Sequence, residues 1–423
     1  SHSYAYDKNN NIVREVNVNT YAGVNEVREY TYDYMGQLKK SVLDNENNVL
    51  TTVYTYDKVG NRISKTENGS VTSYTYNGLN QLKGESGVNS LTYTYDDNGN
   101  QTGIAGTAEG ETVNRAFTYT PAGMLASYTD GTSTQTNLYN GGGQRIRKTE
   151  GSDVTNYFYQ EGSVLYTTGA DSTLKSFNLL NVSDIFATSR INGTSESYYF
   201  YTEDMRGSTV NIIDSSASQV ASYWYSDFGE VTEAKAASYG NFVNEIQYTG
   251  AVYDELTGLL YLNARFYDPA TGRFITQDTY RGERNNPDTW HLYAYCANNP
   301  INYVDPSGHS PASVVAGTVG TILSFAGWVS TRKVVVLLSI GTGVAQILIA
   351  TYDYNKAKKS IFNFLIDSFK DPFIYILIIL ATINFLLGDR LGSLIIIMLA
   401  LTSSIIRLIQ DYSAYKFDLK LKS

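Results

Sequence analysis

The stretch Tyr54-Thr55-Tyr56-Asp57-Lys58-Val59-Gly60 reads as a strand followed by a turn. Tyr54 and Tyr56 lie on one face of an extended chain and Thr55 on the other. Asp and Gly then supply the turn, because Asp bonds its own main chain and Gly meets positive φ at no steric cost. A second alternating run, Arg62-Ile63-Ser64-Lys65-Thr66, returns, so the unit is a β-hairpin. Near copies are Tyr30-Thr31-Tyr32-Asp33-Tyr34-Met35-Gly36, Tyr74-Thr75-Tyr76-Asn77-Gly78 and Tyr93-Thr94-Tyr95-Asp96-Asp97-Asn98-Gly99. Weaker copies occur at Tyr4-Ala5-Tyr6-Asp7, Phe117-Thr118-Tyr119 and Leu138-Tyr139-Asn140. The strong copies recur at intervals of 24, 20 and 19 residues. A period this short describes stacked units, none of which folds alone.

Composition agrees with a large β structure. The 423 residues include 37 Tyr against 16 Phe and 3 Trp, an excess that suits pleated surfaces where the ring packs and the hydroxyl finds a partner. The tyrosines read as packing residues, with a sugar-stacking surface as the alternative. The single Cys296 excludes an internal disulfide and a cysteine metal cluster, and no cofactor or metal is expected. The net charge of −9 is unevenly shared: residues 311–423 carry 11 basic and 6 acidic residues, a net of +5, so residues 1–310 carry −14. An acidic first part argues against a nucleic-acid partner, which needs a basic surface. No secretion signal opens the chain, which begins inside a repeat and reads as the C-terminal part of a longer one.

From Tyr199 the sequence becomes denser. It includes Tyr223-Trp224-Tyr225-Ser226-Asp227-Phe228-Gly229, Leu260-Tyr261-Leu262-Asn263-Ala264-Arg265-Phe266-Tyr267-Asp268-Pro269-Ala270-Thr271-Gly272-Arg273-Phe274 and Asn298-Asn299-Pro300-Ile301-Asn302-Tyr303-Val304-Asp305-Pro306-Ser307-Gly308. This region strongly resembles the core of Rhs/YD-repeat proteins, and the upstream repeats resemble that family's Tyr-Asp repeats. The resemblance implies a hollow shell of hairpins with the core region as a plug, the polymorphic-toxin design in which a shell encapsulates a variable C-terminal effector. Expected domains are a repeat shell at 1–198, a core domain at 199–309 and a C-terminal effector region at 310–423.

The resemblance also implies self-cleavage at the end of the core by two Asp-Pro-x-Gly-Leu motifs, whose aspartates share a proton as in aspartyl proteases. Here the second motif reads Asp305-Pro306-Ser307-Gly308-His309, without the Leu, and the first keeps only Asp278, followed by Thr279-Tyr280-Arg281-Gly282. The expected catalytic carboxylates are Asp278 and Asp305, with Arg273 as their charge partner and the cut at Gly308-His309, after His309. The competing reading makes Arg265, Asp268, Arg273 and Asp278 ion-paired or turn-forming residues that lock the plug. His291 and His309 read as isolated histidines without a catalytic or metal role.

Downstream, Ala312–Val329, Val334–Ala350, Phe373–Leu387 and Leu391–Ile406 are apolar runs bounded by charges, close to the length that crosses a bilayer. They are expected to form a small all-α domain of about four membrane helices, with Tyr352–Asp371 as an interfacial helix whose lysines favour anionic lipid. With no His after His309 and no Cys, an enzymatic effector is not expected. The leading function is therefore a secreted or surface Rhs-type toxin whose C-terminal region inserts into a target-cell membrane and depolarises it. Its partners would be membrane lipid, a cognate immunity protein and the N-terminal remainder of the shell. The alternative is a structural or adhesive surface protein with a C-terminal membrane anchor.

Overall fold

The computed structural model describes residues 2–309, apart from 20–22, 47, 161, 181–184, 193–194 and 283–288, and the backbone of Ala312–Ser313, Gly327–Ser330, Lys333–Ile340 and Val344–Ala350. Among these, twenty-two strands from β1 (His2–Tyr6) to β22 (Val231–Lys235) form one antiparallel sheet. Each strand pairs with its neighbour in sequence. The sheet does not stop at the expected boundary between 198 and 199, which falls inside the strand Ser195–Glu203; hairpin pairing continues to Lys235 because Tyr223 to Gly229 repeats the same strand-and-turn chemistry.

The turns explain the repeat. Asp57 Oδ1 accepts the backbone N–H of Val59 at 3.0 Å and of Asn61 at 2.8 Å, and Oδ2 accepts Asn61 Nδ2 at 2.9 Å. Gly60, at φ +87°, closes the turn by donating to Asp57 O at 3.2 Å. Asp33 and Asp96 bond in the same way at their own positions. In the third copy the left-handed residue is Asn80 (φ 59°) rather than Gly78, since what the turn needs is a tolerant residue three places after the Asp or Asn.

The two tyrosines of each unit differ in role. Tyr54 is buried among apolar neighbours, as are Tyr30, Tyr74 and Tyr93. The second tyrosine reaches back one hairpin with its hydroxyl: Tyr56 donates to Leu38 O at 2.9 Å, Tyr76 to Arg62 O at 2.8 Å, Tyr119 to Gln101 O at 2.6 Å, Tyr139 to Leu125 O at 2.7 Å and Tyr159 to Arg145 O at 2.8 Å. Each accepting carbonyl belongs to the first residue of the previous return strand. Burial pushes these hydroxyls up, so they remain donors. Packing and stapling thus account for the Tyr excess.

After Lys235 the chain leaves the sheet and forms four short strands, β23 (Val252–Asp254), β24 (Leu259–Leu262), β25 (Arg265–Asp268) and β26 (Arg273–Phe274), as a plug. The plug runs along the repeat turns and satisfies their carbonyls. Asn299 Nδ2 donates to Gly36 O at 2.7 Å, Asn298 Nδ2 to Gly60 O at 2.8 Å and Tyr293 OH to Gly99 O at 2.8 Å. Asn298 is aimed by a left-handed run at Cys296, Ala297 and Asn298 (φ 48°, 50° and 61°), a costly backbone that these contacts hold in place. An open cleft of about 1380 Å³ is lined in part by Tyr54, Tyr74, Tyr93, Trp224 and Asp268.

The expected membrane helix over Val334–Ala350 is corrected: the backbone forms the strands Lys333–Ile340 and Val344–Ala350, which with Gly327–Ser330 make a three-stranded sheet. The physical reason is visible in the sequence, where Gly341 and Gly343 divide two apolar runs of strand length rich in β-branched residues. Among the described residues no helix is long and apolar enough to cross a membrane. Of the other expected helices, Ala312–Val329 is described only at Ala312–Ser313 and Gly327–Ser330, which are strands, and Tyr352–Asp371, Phe373–Leu387 and Leu391–Ile406 lie outside the described residues.

One acidic side chain ties the first hairpins to a distant turn. Buried Glu15 accepts Tyr30 OH at 3.1 Å, lies 3.3 Å from His2 Nδ1 and 3.8 Å from Arg206 Nη2. Burial pushes its carboxyl up, but Arg206, His2 and Arg28 outweigh burial and hold it at about 2. Because the folded value is depressed, the stabilisation is complete above the ordinary carboxylate value and is lost as pH falls through about 2. Glu15→Gln is expected to remove roughly 3 kcal/mol of acid-sensitive stability. Denaturant unfolding at pH 6 and pH 2 checks this: the gap between wild type and variant should narrow at the lower pH.

Candidate functional site

The end of the plug is organised by a buried arginine. Arg265 opens β25, directly after the sharp turn at Asn263-Ala264 that follows β24. Its Nη2 lies 2.6 Å from Asp278 Oδ2 and 3.8 Å from Asp305 Oδ2, its Nη1 donates to Leu292 O at 3.0 Å, and its Nε donates to Gly308 O. The guanidinium also lies 3.6 Å from the centroid of the Phe274 ring. Burial lowers the Arg265 value to about 10, with the two aspartates opposing that shift, so the group stays cationic at neutral pH.

The two expected carboxylates are therefore brought to one cation although 27 residues separate them in sequence. Asp305 opens the loop between β27 (Tyr303–Val304) and β28 (Ala312–Ser313), which pair antiparallel. Asp305 Oδ1 accepts Ser307 Oγ at 3.1 Å and the His309 backbone N–H at 3.0 Å. Asp278 Oδ1 accepts Tyr280 N at 2.8 Å and lies 2.8 Å from His309 Nδ1. Gly308 and His309 thus sit in the same cluster as both aspartates.

Arg273 does not, and its expected role is corrected. In the β25–β26 hairpin Arg273 pairs with Asp268, at the far end from Arg265, so the pleat carries it away from the aspartates. Its Nη1 donates to Asn61 Oδ1 at 3.3 Å, its Nη2 donates to Asn80 O, and it lies over the rings of Tyr76 and Tyr293. Arg273 clamps repeat turns, and Arg265 is the charge partner. Asp268 holds its own turn, accepting Ala270 N at 3.0 Å and Thr271 Oγ1 at 2.9 Å. His291 accepts the backbone N–H of Tyr293 and Ala294 at Nδ1 and lies 2.8 Å from Asn61 Oδ1 through Nε2. Burial, helped by Arg273, lowers it to about 3, a neutral structural ring. The signal for Arg265 was its place as the one charged residue in the run from Leu259 to Tyr267, where Asn263 is the other non-aromatic polar residue.

A sheet of hairpins turning on Asp or Asn, stapled by tyrosine hydroxyls and capped along its turns by a plug, defines a YD shell. The chain belongs to the Teneurin YD-shell family, whose model matches residues 1–301. A second, short match, to the cation transporter/ATPase N-terminus, covers residues 347–384. Among curated relatives, the tRNA3(Ser)-specific nuclease WapA of Bacillus spizizenii is 35% identical over 65% of this chain and 12% of its own length. The tRNA nuclease WapA of Bacillus subtilis strain 168 is 34% identical over the same shares. The chain thus spans about one eighth of the length of these relatives. A crystal structure of TcdB2-TccC3 without its hypervariable C-terminal region is similar over 72% of this chain and 19% of that one, at 18% identity and a TM-score of 0.38.

Proposed function

We propose that residues 1–309 are the end of a toxin shell and that residues 310–423 are its effector, freed by a cut after His309 at the Asp278–Asp305 cluster. The observation that carries this reading is the convergence of both aspartates, Arg265 and the Gly308-His309 backbone in the loop that leads out of the plug. Enclosing a polypeptide of this tail's length would call on the N-terminal remainder of the shell as a partner. A secreted or surface location and a cognate immunity protein follow from the same reading. The test is intact-mass analysis of the purified chain. Wild type is expected to yield two fragments divided between residues 309 and 310, and Asp278→Asn and Asp305→Asn to stay whole with at least about 10²-fold less product. Uncut wild type would sink the reading.

For the effector we infer membrane insertion and depolarisation. Its support is the apolar, cationic sequence beyond residue 351. A second reading, nucleic-acid cleavage, is favoured by the tRNA nucleases among the relatives. A membrane anchor is the third. Expression of residues 310–423 under tight control, with a voltage-sensitive dye and tRNA integrity followed together, separates them. Loss of potential with intact tRNA supports depolarisation, cut tRNA supports the nuclease, and membrane localisation with neither supports the anchor.

A further inference from the structure

The self-cleavage reading leaves the proton transfer unassigned. Two aspartates share one proton when their mutual repulsion is unrelieved, yet here the Arg265 guanidinium faces both carboxylates. A residue that the sequence left isolated occupies the remaining place. His309 is fixed at its backbone by Asp305 Oδ1 at 3.0 Å and Ser307 Oγ at 3.2 Å, and its Nδ1 lies 2.8 Å from Asp278 Oδ1. A proton on Nδ1 pointing at that carboxylate leaves Nε2 as a bare acceptor, the arrangement in which an aspartate orients a histidine base. The His309 side chain is 38% exposed, so water can reach it.

We propose that His309 is the general base for the cut beside it, with Asp278 as its positioning residue and Asp305 holding the backbone; this rests on the self-cleavage reading above. Nε2 takes a proton from water as the oxygen adds to the His309 carbonyl carbon. The C–N bond to Ser310 then breaks and the imidazolium returns the proton to the leaving nitrogen. The products are a His309 carboxyl group and a Ser310 amine, which pass the remaining water proton between them to end as carboxylate and ammonium, with one water consumed. On this account the His that stands where the related motif has Leu supplies the function that the charge-paired aspartates do not.

The test is a time course of cell-free translation of the full chain, which starts every molecule uncut. His309→Leu and His309→Gln are expected to cut at least about 10²-fold more slowly than wild type, with unchanged melting temperatures. Added imidazole should restore part of the rate to His309→Gly and none to Asp305→Asn, a rescue that a purely structural histidine would not show. A His309→Leu chain that cuts at the wild-type rate overturns the proposal while leaving self-cleavage standing. A wild-type chain that stays whole, like Asp278→Asn, overturns both.

Discussion

Replacing Asp254 with alanine is expected to destabilise the shell by about 3–5 kcal/mol, because it strands a buried cation. Arg145 and Asp254 form a two-pronged pair, with Nη1 to Oδ2 at 2.5 Å and Nη2 to Oδ1 at 3.0 Å, and neither side chain is exposed. Gln135 Nε2 donates to Asp254 Oδ2 at 2.8 Å and Lys148 lies 3.5 Å from Oδ1. Burial pushes the Asp254 carboxyl up, and Arg145 and Lys148 outweigh it, so it is held below the usual range. The guanidinium is enclosed by Tyr157, Tyr261 and Phe266. Removing the acid leaves these rings around an unpaired charge that water cannot reach. Replacing both partners with apolar residues removes the charge as well as the pair, so Arg145→Met with Asp254→Leu should recover most of the loss. Thermal melts of the single and double variants decide it: a single variant within about 1 kcal/mol of wild type would show that the pair does not anchor plug to sheet.

The hairpins were legible because their information is local. A strand period of two and an Asp or Asn followed by a left-handed residue can be read in seven residues, and the structure adds only that the tolerant residue sits three places on, at Asn80 in one copy. The buried arginines were legible in principle. Aligned on their turns, Leu38, Leu82 and Leu125 occupy the inward position that Arg62 and Arg145 take in other hairpins, so a cation stands where three relatives of the same repeat bury leucine. Such a cation needs a partner from outside the repeat. Arg62 finds the carbonyls of Ala270 and Thr271 at 3.0 and 2.6 Å, and Arg145 finds Asp254. The period announces the position, but not which distant residue answers it.

The cluster was half legible for the same reason. The resemblance to the family's paired motifs pointed to Asp278, Asp305 and Gly308-His309, whereas the choice between Arg265 and Arg273 depends on the register of a four-residue strand, which composition does not encode. The apolar run at Val334–Ala350 shows the reverse limit. Hydropathy alone cannot tell a long helix from two strands, and the decision there lies with Gly341 and Gly343.

Gly308→Ala is expected to abolish the cut, with at least about 10²-fold loss of product, while leaving the sheet folded. Gly308 has φ +73°, where an L side chain is strained, and an added Cβ would fall on the Leu262 carbonyl oxygen and 3.1 Å from Arg265 N. Both neighbours are backbone of the β24–β25 turn, so the loop rather than the turn must yield. Displacing residue 308 pulls its carbonyl from Arg265 Nε and moves His309 away from Asp305 and Asp278, contacts made over 2.8 to 3.0 Å. An error of about 1 Å is enough to cost two orders of magnitude in a positioned reaction. The loop is held by the short β27–β28 pair and by contacts to Asn263, Ala264, Arg265 and Asp278, so the global melting temperature should fall by far less than in the Asp254 variant. A Gly308→Ala chain that is cut normally would place the reaction outside this cluster, whereas an intact chain with a near-native melt fixes the Gly308 backbone as part of the cutting geometry.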